Sequence, residues 1–155
     1  VNEPVWINLR DALAIHERLL ALYGGPEGLR DQGLLESALA RPEQLLAYGD
    51  NPDLTDLSAA LTAGIVWNHP FVDGNKRTGF LLGVLFLELN GVNFVAKEED
   101  ATLAVRSLAS KTLDEAEYRS WLSSNLGTSV RSAKKRAGHK HAGTKTAKLP
   151  IIFLT

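Results

Sequence analysis

Between two apolar stretches, residues 57–67 and 79–89, lies the run His-Pro-Phe-Val-Asp-Gly-Asn-Lys-Arg-Thr, His69 to Thr78. Packing has no use for a histidine, an aspartate, a lysine and an arginine within nine residues. A site that moves protons and holds phosphate does. The ordinary histidine pKa, about 6.5, suits removal of a proton from an attacking hydroxyl. A carboxylate such as Asp73 can hold a hard divalent cation or orient the histidine. Lys76 and Arg77 add two positive charges, and phosphoryl transfer is served chiefly by positioning and electrostatics.

Local rules place these groups. Pro70 turns His69 away from helical dihedrals, so the preceding helix is expected to stop near His69. Gly74 can adopt dihedrals that other residues avoid, and Asn75 suits the cap of a following helix. The first N–H groups of that helix, roughly residues 76–78, then have no acceptor within it. With the positive end of the helix dipole behind them they form an anion site. Each residue also has a plainer reading. Phe71 is a core anchor, Asn75 a cap, Thr78 a helix residue, Asp73 a loop acceptor, and Arg77 a partner for Glu88 or Glu99. The set in this order is what packing does not explain.

The run resembles the central motif of the Fic/Doc superfamily. The Fic branch reads roughly H-P-F-x-D/E-G-N-G-R-x-x-R, and the Doc (death-on-curing) branch ends N-K-R-T. His69, Phe71, Asp73, Asn75, Lys76, Arg77 and Thr78 follow the Doc form. Pro70 and Gly74 are typical of Fic, and Phe80 stands where Fic has its last arginine. Trp67 and Leu81 stand where Doc has an arginine and an asparagine. The Tyr23-Gly24-Gly25 turn, Gly33 to Glu36 and Asn90-Gly91 extend the resemblance over about residues 5–126.

The resemblance implies ATP as substrate with Mg²⁺. His69 would be the base and Asp73 the metal-holding or orienting acid. Lys76 and Arg77 would act in catalysis, and Gly74, Asn75, Lys76, Arg77 and Thr78 would cradle phosphate. Lysine after the asparagine points to Doc-like transfer of the terminal phosphate to a hydroxyl of elongation factor Tu, blocking translation. The alternative is Fic-type transfer of AMP. A third reading is an inactive binding scaffold whose basic tail holds nucleic acid. Some Fic proteins carry an inhibitory Ser/Thr-x-x-x-Glu-Gly/Asn helix. Glu27 is the only glutamate here followed by glycine or asparagine, and Tyr23 stands four before it. A separate small antitoxin is therefore the implied partner of a toxin. The loop 49–55 falls where the family carries a flap that positions the protein target; read from its residues alone, it is a plain surface connection.

Composition sets the frame. The length, 155 residues, suits one domain. With no cysteine there is neither a disulfide framework nor a thiolate metal site, which fits a cytoplasmic protein. No N-terminal signal pattern is seen, and the longest apolar run, 79–87, is too short to span a bilayer. Residues 127–155 hold seven basic and no acidic residues, leaving residues 1–126 at a net −8. Such an acidic body disfavours nonspecific nucleic-acid binding outside the tail.

The patterning predicts an all-α fold of six or seven helices around a buried central helix, with a short flap or extended piece. Trp6 to Leu9 is a strand or a lead-in loop. Asn8 caps a first helix, with Asp11 in its first turn, that stops at Gly24. His16 within it reads as a half-buried polar residue. Asp31 or Gln32 starts a second helix that Arg41-Pro42 breaks, and Glu43 to Tyr48 is expected to add a turn or two of helix after the break. Helices follow over 57–68, 75–90, from a cap at Asp100 to about Ser110, and over 113–124, with 93–96 extended. The central helix is apolar all round, as a buried helix must be. The expected domain is 1–126. Residues 127–155 are expected to be a flexible basic tail, too poor in apolar residues to offset ordering. In that tail His139 and His141 could hold a metal, and 150–154 is apolar.

Overall fold

The computed structural model describes residues 3–127. Six helices make up the described chain: α1 (Leu9–Tyr23), α2 (Gln32–Tyr48), α3 (Leu54–Asn68), α4 (Asn75–Leu89), α5 (Glu98–Ala109) and α6 (Glu115–Ser124). Extended pairing among the described residues is limited to two isolated antiparallel bridges, Leu29–Phe71 and Phe94–Leu126. The expected all-α class is what the structure shows. The expected tail, with its two histidines and apolar end, lies outside the described residues apart from Gly127.

Capping chemistry sets most helix starts. The Asn8, Asp31, Asp53 and Asp114 side chains accept from amides three residues on. Asp56 and Glu117 reach back to complete capping boxes for α3 and α6. The box at Asp53 starts α3 three residues before the apolar run does. Helix α5 departs from the sequence reading: it begins at Glu98, and Asp100 lies inside its first turn. Three acidic residues at the positive end of the dipole stabilise that turn without a side-chain cap.

Pro42 does not break α2, contrary to expectation; the helix runs through it to Tyr48. The proline removes one backbone bond, and packing on both sides of it offsets the loss. Ala38, Leu39 and Pro42 are buried before and at the site, while Leu45 and Leu46 pack on the same core after it. Arg41 meanwhile reaches the Ala60 carbonyl on α3 and the Glu115 carboxylate on α6.

Helices α3 and α4 form the centre, with eleven of the fifteen residues of each buried. One apolar cluster joins them to α5 and α6, a second to α1 and α2. Their close approach depends on small residues. A Cβ on Gly79 would stand 3.1 Å from Ile65 and Val66. One on Gly83 would collide with the Thr62 hydroxyl and lie 3.0 Å from Ser58 Oγ. Both hydroxyls are used: Ser58 donates to the Gly83 carbonyl at 2.9 Å and Thr62 to that of Gly79 at 2.7 Å. The crossing thus holds the start of α4 firmly against the end of α3, and the loop between them is His69–Gly74.

The extended piece expected at 93–96 is present as a pairing with the segment after α6. Val95 N donates to Asn125 O, and Gly127 N to Asn93 O, each at 2.8 Å. Trp6 to Asn8 is a lead-in loop rather than a strand. No helix among the described residues is long and apolar enough to cross a membrane.

Candidate active site

The loop begins with His69, which closes α3 in the left-handed region at φ 51°, ψ 58° and donates its amide to Ile65 O. Its side chain is exposed. Nδ1 lies 3.3 Å from the Trp67 carbonyl, an acceptor only. A proton on Nδ1 leaves the lone pair on Nε2.

Phe71 is buried at the middle of the loop and serves as its anchor. Asn75 clasps it from α4: Oδ1 accepts from Phe71 N and Nδ2 donates to Phe71 O, both at 3.0 Å. Asn75 is therefore not the cap that its position suggests. Gly74 is the cap residue, left-handed at φ 80°, and makes no side-chain bond. The asparagine turns back to the loop because two buried backbone groups of Phe71 need partners.

This shift moves the free end of the helix by one residue. Thr78 N donates to Gly74 O at 2.9 Å, so its amide is engaged. Its side chain is fully buried, and its hydroxyl has no hydrogen-bond partner. Thr78 therefore faces the core, and the amides of Asn75 and Lys76 are among those without an acceptor inside the helix.

These groups border a cleft of about 270 Å³ lined by Tyr23, Gly24, Gly25 and Asp73 to Arg77. Asp73 is exposed and Lys76 partly so, whereas Arg77 is buried. The Arg77 guanidinium lies 4.6 Å from the centre of the Tyr23 ring, a cation–π contact. Burial pushes its pKa below the ordinary value, opposed by attraction to Tyr23 and Asp73. An anion in the cleft would relieve the same penalty. His69 opens the loop but is not part of the cleft lining.

Two partners of the loop come from outside it. His16, on the buried face of α1 with Ala12 and Leu19, stacks on Phe71 with ring centres 3.8 Å apart and planes at 9°. Its Nε2 lies 2.8 Å from the Asp73 carbonyl, and since a carbonyl only accepts, Nε2 donates. The sequence reading made His16 half-buried; it is almost fully so, and it supports the loop. Its spacing to Ala12 and Leu19, one helical face, was the available signal. The second partner is the segment 28–31. Arg30 N and Asp31 N donate to Pro70 O at 2.7 and 2.9 Å, and Val72 N to Gly28 O at 3.0 Å.

The backbone beside the motif is therefore 28–31, not the loop 49–55. That loop docks on α6 instead, where Arg119 binds Asp53 and Asp56. Trp67 and Leu81, the departures from the Doc pattern, are structural. Trp67 Nε1 donates to Leu108 O at 2.8 Å on α5, and Leu81 is buried.

Burial lowers the His16 pKa from 6.5, opposed by its bond to the Asp73 carbonyl and by the charges of Asp73 and Glu17. The unfolded state then binds the proton more readily, so folding stability is lost as pH falls through the ordinary value. Wild type is expected to lose stability between pH 7.5 and 5.5 more steeply than His16→Gln, which keeps a donor but cannot titrate. Equal slopes in urea unfolding at the two pH values would dismiss His16 as the source.

Asp73 is a hard oxygen donor at the edge of the cleft. No group of three or more His, Cys, Asp or Glu that could hold a metal occurs among the described residues. A lone carboxylate at a cleft edge is a donor of the kind Mg²⁺ uses together with substrate phosphates and water.

Comparison with known proteins agrees with the motif. The sequence profile of the Fic/DOC family matches residues 6–87. "Toxin Doc" of Mycolicibacterium smegmatis is 46% identical over 76 residues, 48% of this chain and 58% of that protein. "Protein kinase doc" of Escherichia phage P1 is 34% identical over 99 residues, 64% of this chain and 79% of that protein. A profile match across more than half of the chain, on the helices that build the loop and its cleft, makes this protein a member of the Fic/DOC family.

Proposed function

We propose that the protein is the toxin of a toxin–antitoxin pair and transfers the terminal phosphate of ATP to a hydroxyl of elongation factor Tu. The observation that carries this reading is the cleft itself. Lys76, Arg77, Asp73 and the open end of α4 border one small space, with His69 four residues before the aspartate. The names of the two relatives, a toxin and a protein kinase, support the same assignment.

In this scheme the phosphates rest on the amides of Asn75 and Lys76 at the positive end of α4. Lys76 and Arg77 balance charge that grows on the transferred group. His69 takes the proton of the target hydroxyl at Nε2. Asp73 would hold Mg²⁺, which when bound neutralises phosphate charge. The reaction belongs in the cytoplasm, and a separate antitoxin would restrain it by covering the cleft.

The test is the intact mass of elongation factor Tu after incubation with the protein, ATP and Mg²⁺. A gain of one phosphate supports the proposal. A gain of one AMP would assign the chain to nucleotidyl transfer despite Lys76. No gain on this target, with no ATP binding, would leave the scaffold reading.

A further inference from the structure

We infer that Arg30, which lies outside the motif, is a positioning residue for His69. The inference rests on the reading of His69 as the base. Its ground is a conflict between local preference and observed backbone. A residue before proline is biased toward extended dihedrals, and a left-handed conformation costs a non-glycine residue roughly 1–2 kcal/mol. His69 precedes Pro70 and nonetheless sits at φ 51°, ψ 58°. Something outside the tripeptide must hold it there.

Arg30 makes the contacts that would do so. Its Nε donates to the His69 carbonyl at 2.6 Å, and Nη2 donates to the Asn68 carbonyl at 2.8 Å. The planar fork thus satisfies two carbonyls at the C-terminal end of α3, where a cation is also favoured by the dipole. The next carbonyl, of Pro70, accepts from the Arg30 and Asp31 amides. Three successive carbonyls, 68 to 70, are tied to one short segment. Lysine cannot reproduce the fork. Without it the Asn68 and His69 carbonyls can rotate, and His69 can relax toward the extended region, carrying the imidazole with it.

Arg30 is exposed, so its removal need not unfold the domain. The first measurement is the set of backbone ¹³C chemical shifts of His69 in wild type, Arg30→Ala and Arg30→Met, the last keeping part of the aliphatic stem. Loss of the left-handed signature at His69 with the remaining spectrum intact is expected, and unchanged His69 shifts would overturn the inference. The second measurement is transfer to elongation factor Tu. A displaced base is expected to lower kcat by about 100-fold, the order of loss for a 1 Å misplacement. KM for ATP should stay near wild type, because the phosphate cradle on α4 is untouched. A fall in kcat no larger than twofold would equally overturn the inference. If wild type itself modifies nothing, the functional reading fails, and the shifts alone decide whether Arg30 holds His69.

Discussion

Replacing His69 by alanine is expected to slow transfer by about 10²–10⁴-fold, the usual contribution of a positioned general base. The more informative variant is His69→Gly. Glycine adopts the left-handed region without the Cβ penalty. His69 occupies that region with an exposed side chain whose Nδ1 makes a long, 3.3 Å approach to Trp67 O. His69→Gly should therefore be as inactive as His69→Ala, yet unfold at equal or higher urea concentration than wild type. A gain of about 1 kcal/mol would match the strain removed. Opposite signs for activity and stability are what a side chain kept for chemistry predicts. A loss of stability beyond 1 kcal/mol would make His69 a structural cap, and retained transfer would remove it from the reaction.

Where the sequence was readable, the reason is local. Asn8 and Gly24 bound α1, and Asp31 starts α2, because caps and left-handed glycines act on their immediate neighbours. The motif announced itself by an improbable mixture of charged types beside buried helices. What local rules missed was decided across the fold. Pro42 stays in α2 because α3 and α6 grip Arg41 on one side while Leu45 and Leu46 pack on the other. Asn75 abandons its cap position because Phe71, buried by His16, has backbone groups to satisfy. His16 and Arg30 act on carbonyls, 57 and 39 residues away in sequence. No periodicity records which backbone oxygen a distant side chain will reach. The backbone neighbour of the loop was hidden for the same reason. The resemblance offered 49–55 by order along the chain, whereas strand-like pairing placed 28–31 beside the loop.

The loop is thus built less by its own residues than by three neighbours. His16 holds the Asp73 carbonyl, Arg30 those of Asn68 and His69, and Asn75 both backbone groups of Phe71. Each acts on the main chain and leaves the exposed His69 and Asp73 side chains out of these bonds. That division is what a site needs when its reacting groups must be fixed without being consumed by structural bonds.

The second large effect is expected at Gly25, in the turn after α1. Its φ of 117° is one that side chains rarely adopt, and a Cβ there would run into the Asp73 carboxylate and approach Leu20. Gly25→Ala therefore combines backbone strain with displacement of Asp73 from the cleft edge. Transfer is expected to fall by about 100-fold, as for other small misplacements of a reacting group. The apparent affinity for Mg²⁺ should weaken with it, since Asp73 is the one carboxylate in the cleft lining. A double-mutant cycle separates the two causes. In the Asp73→Ala background the collision is gone and only the φ strain remains. The stability cost of Gly25→Ala should shrink there, with a coupling of about 0.5–3 kcal/mol between two residues in contact. Equal costs in both backgrounds would show that the turn alone requires glycine and that Asp73 is not held against it.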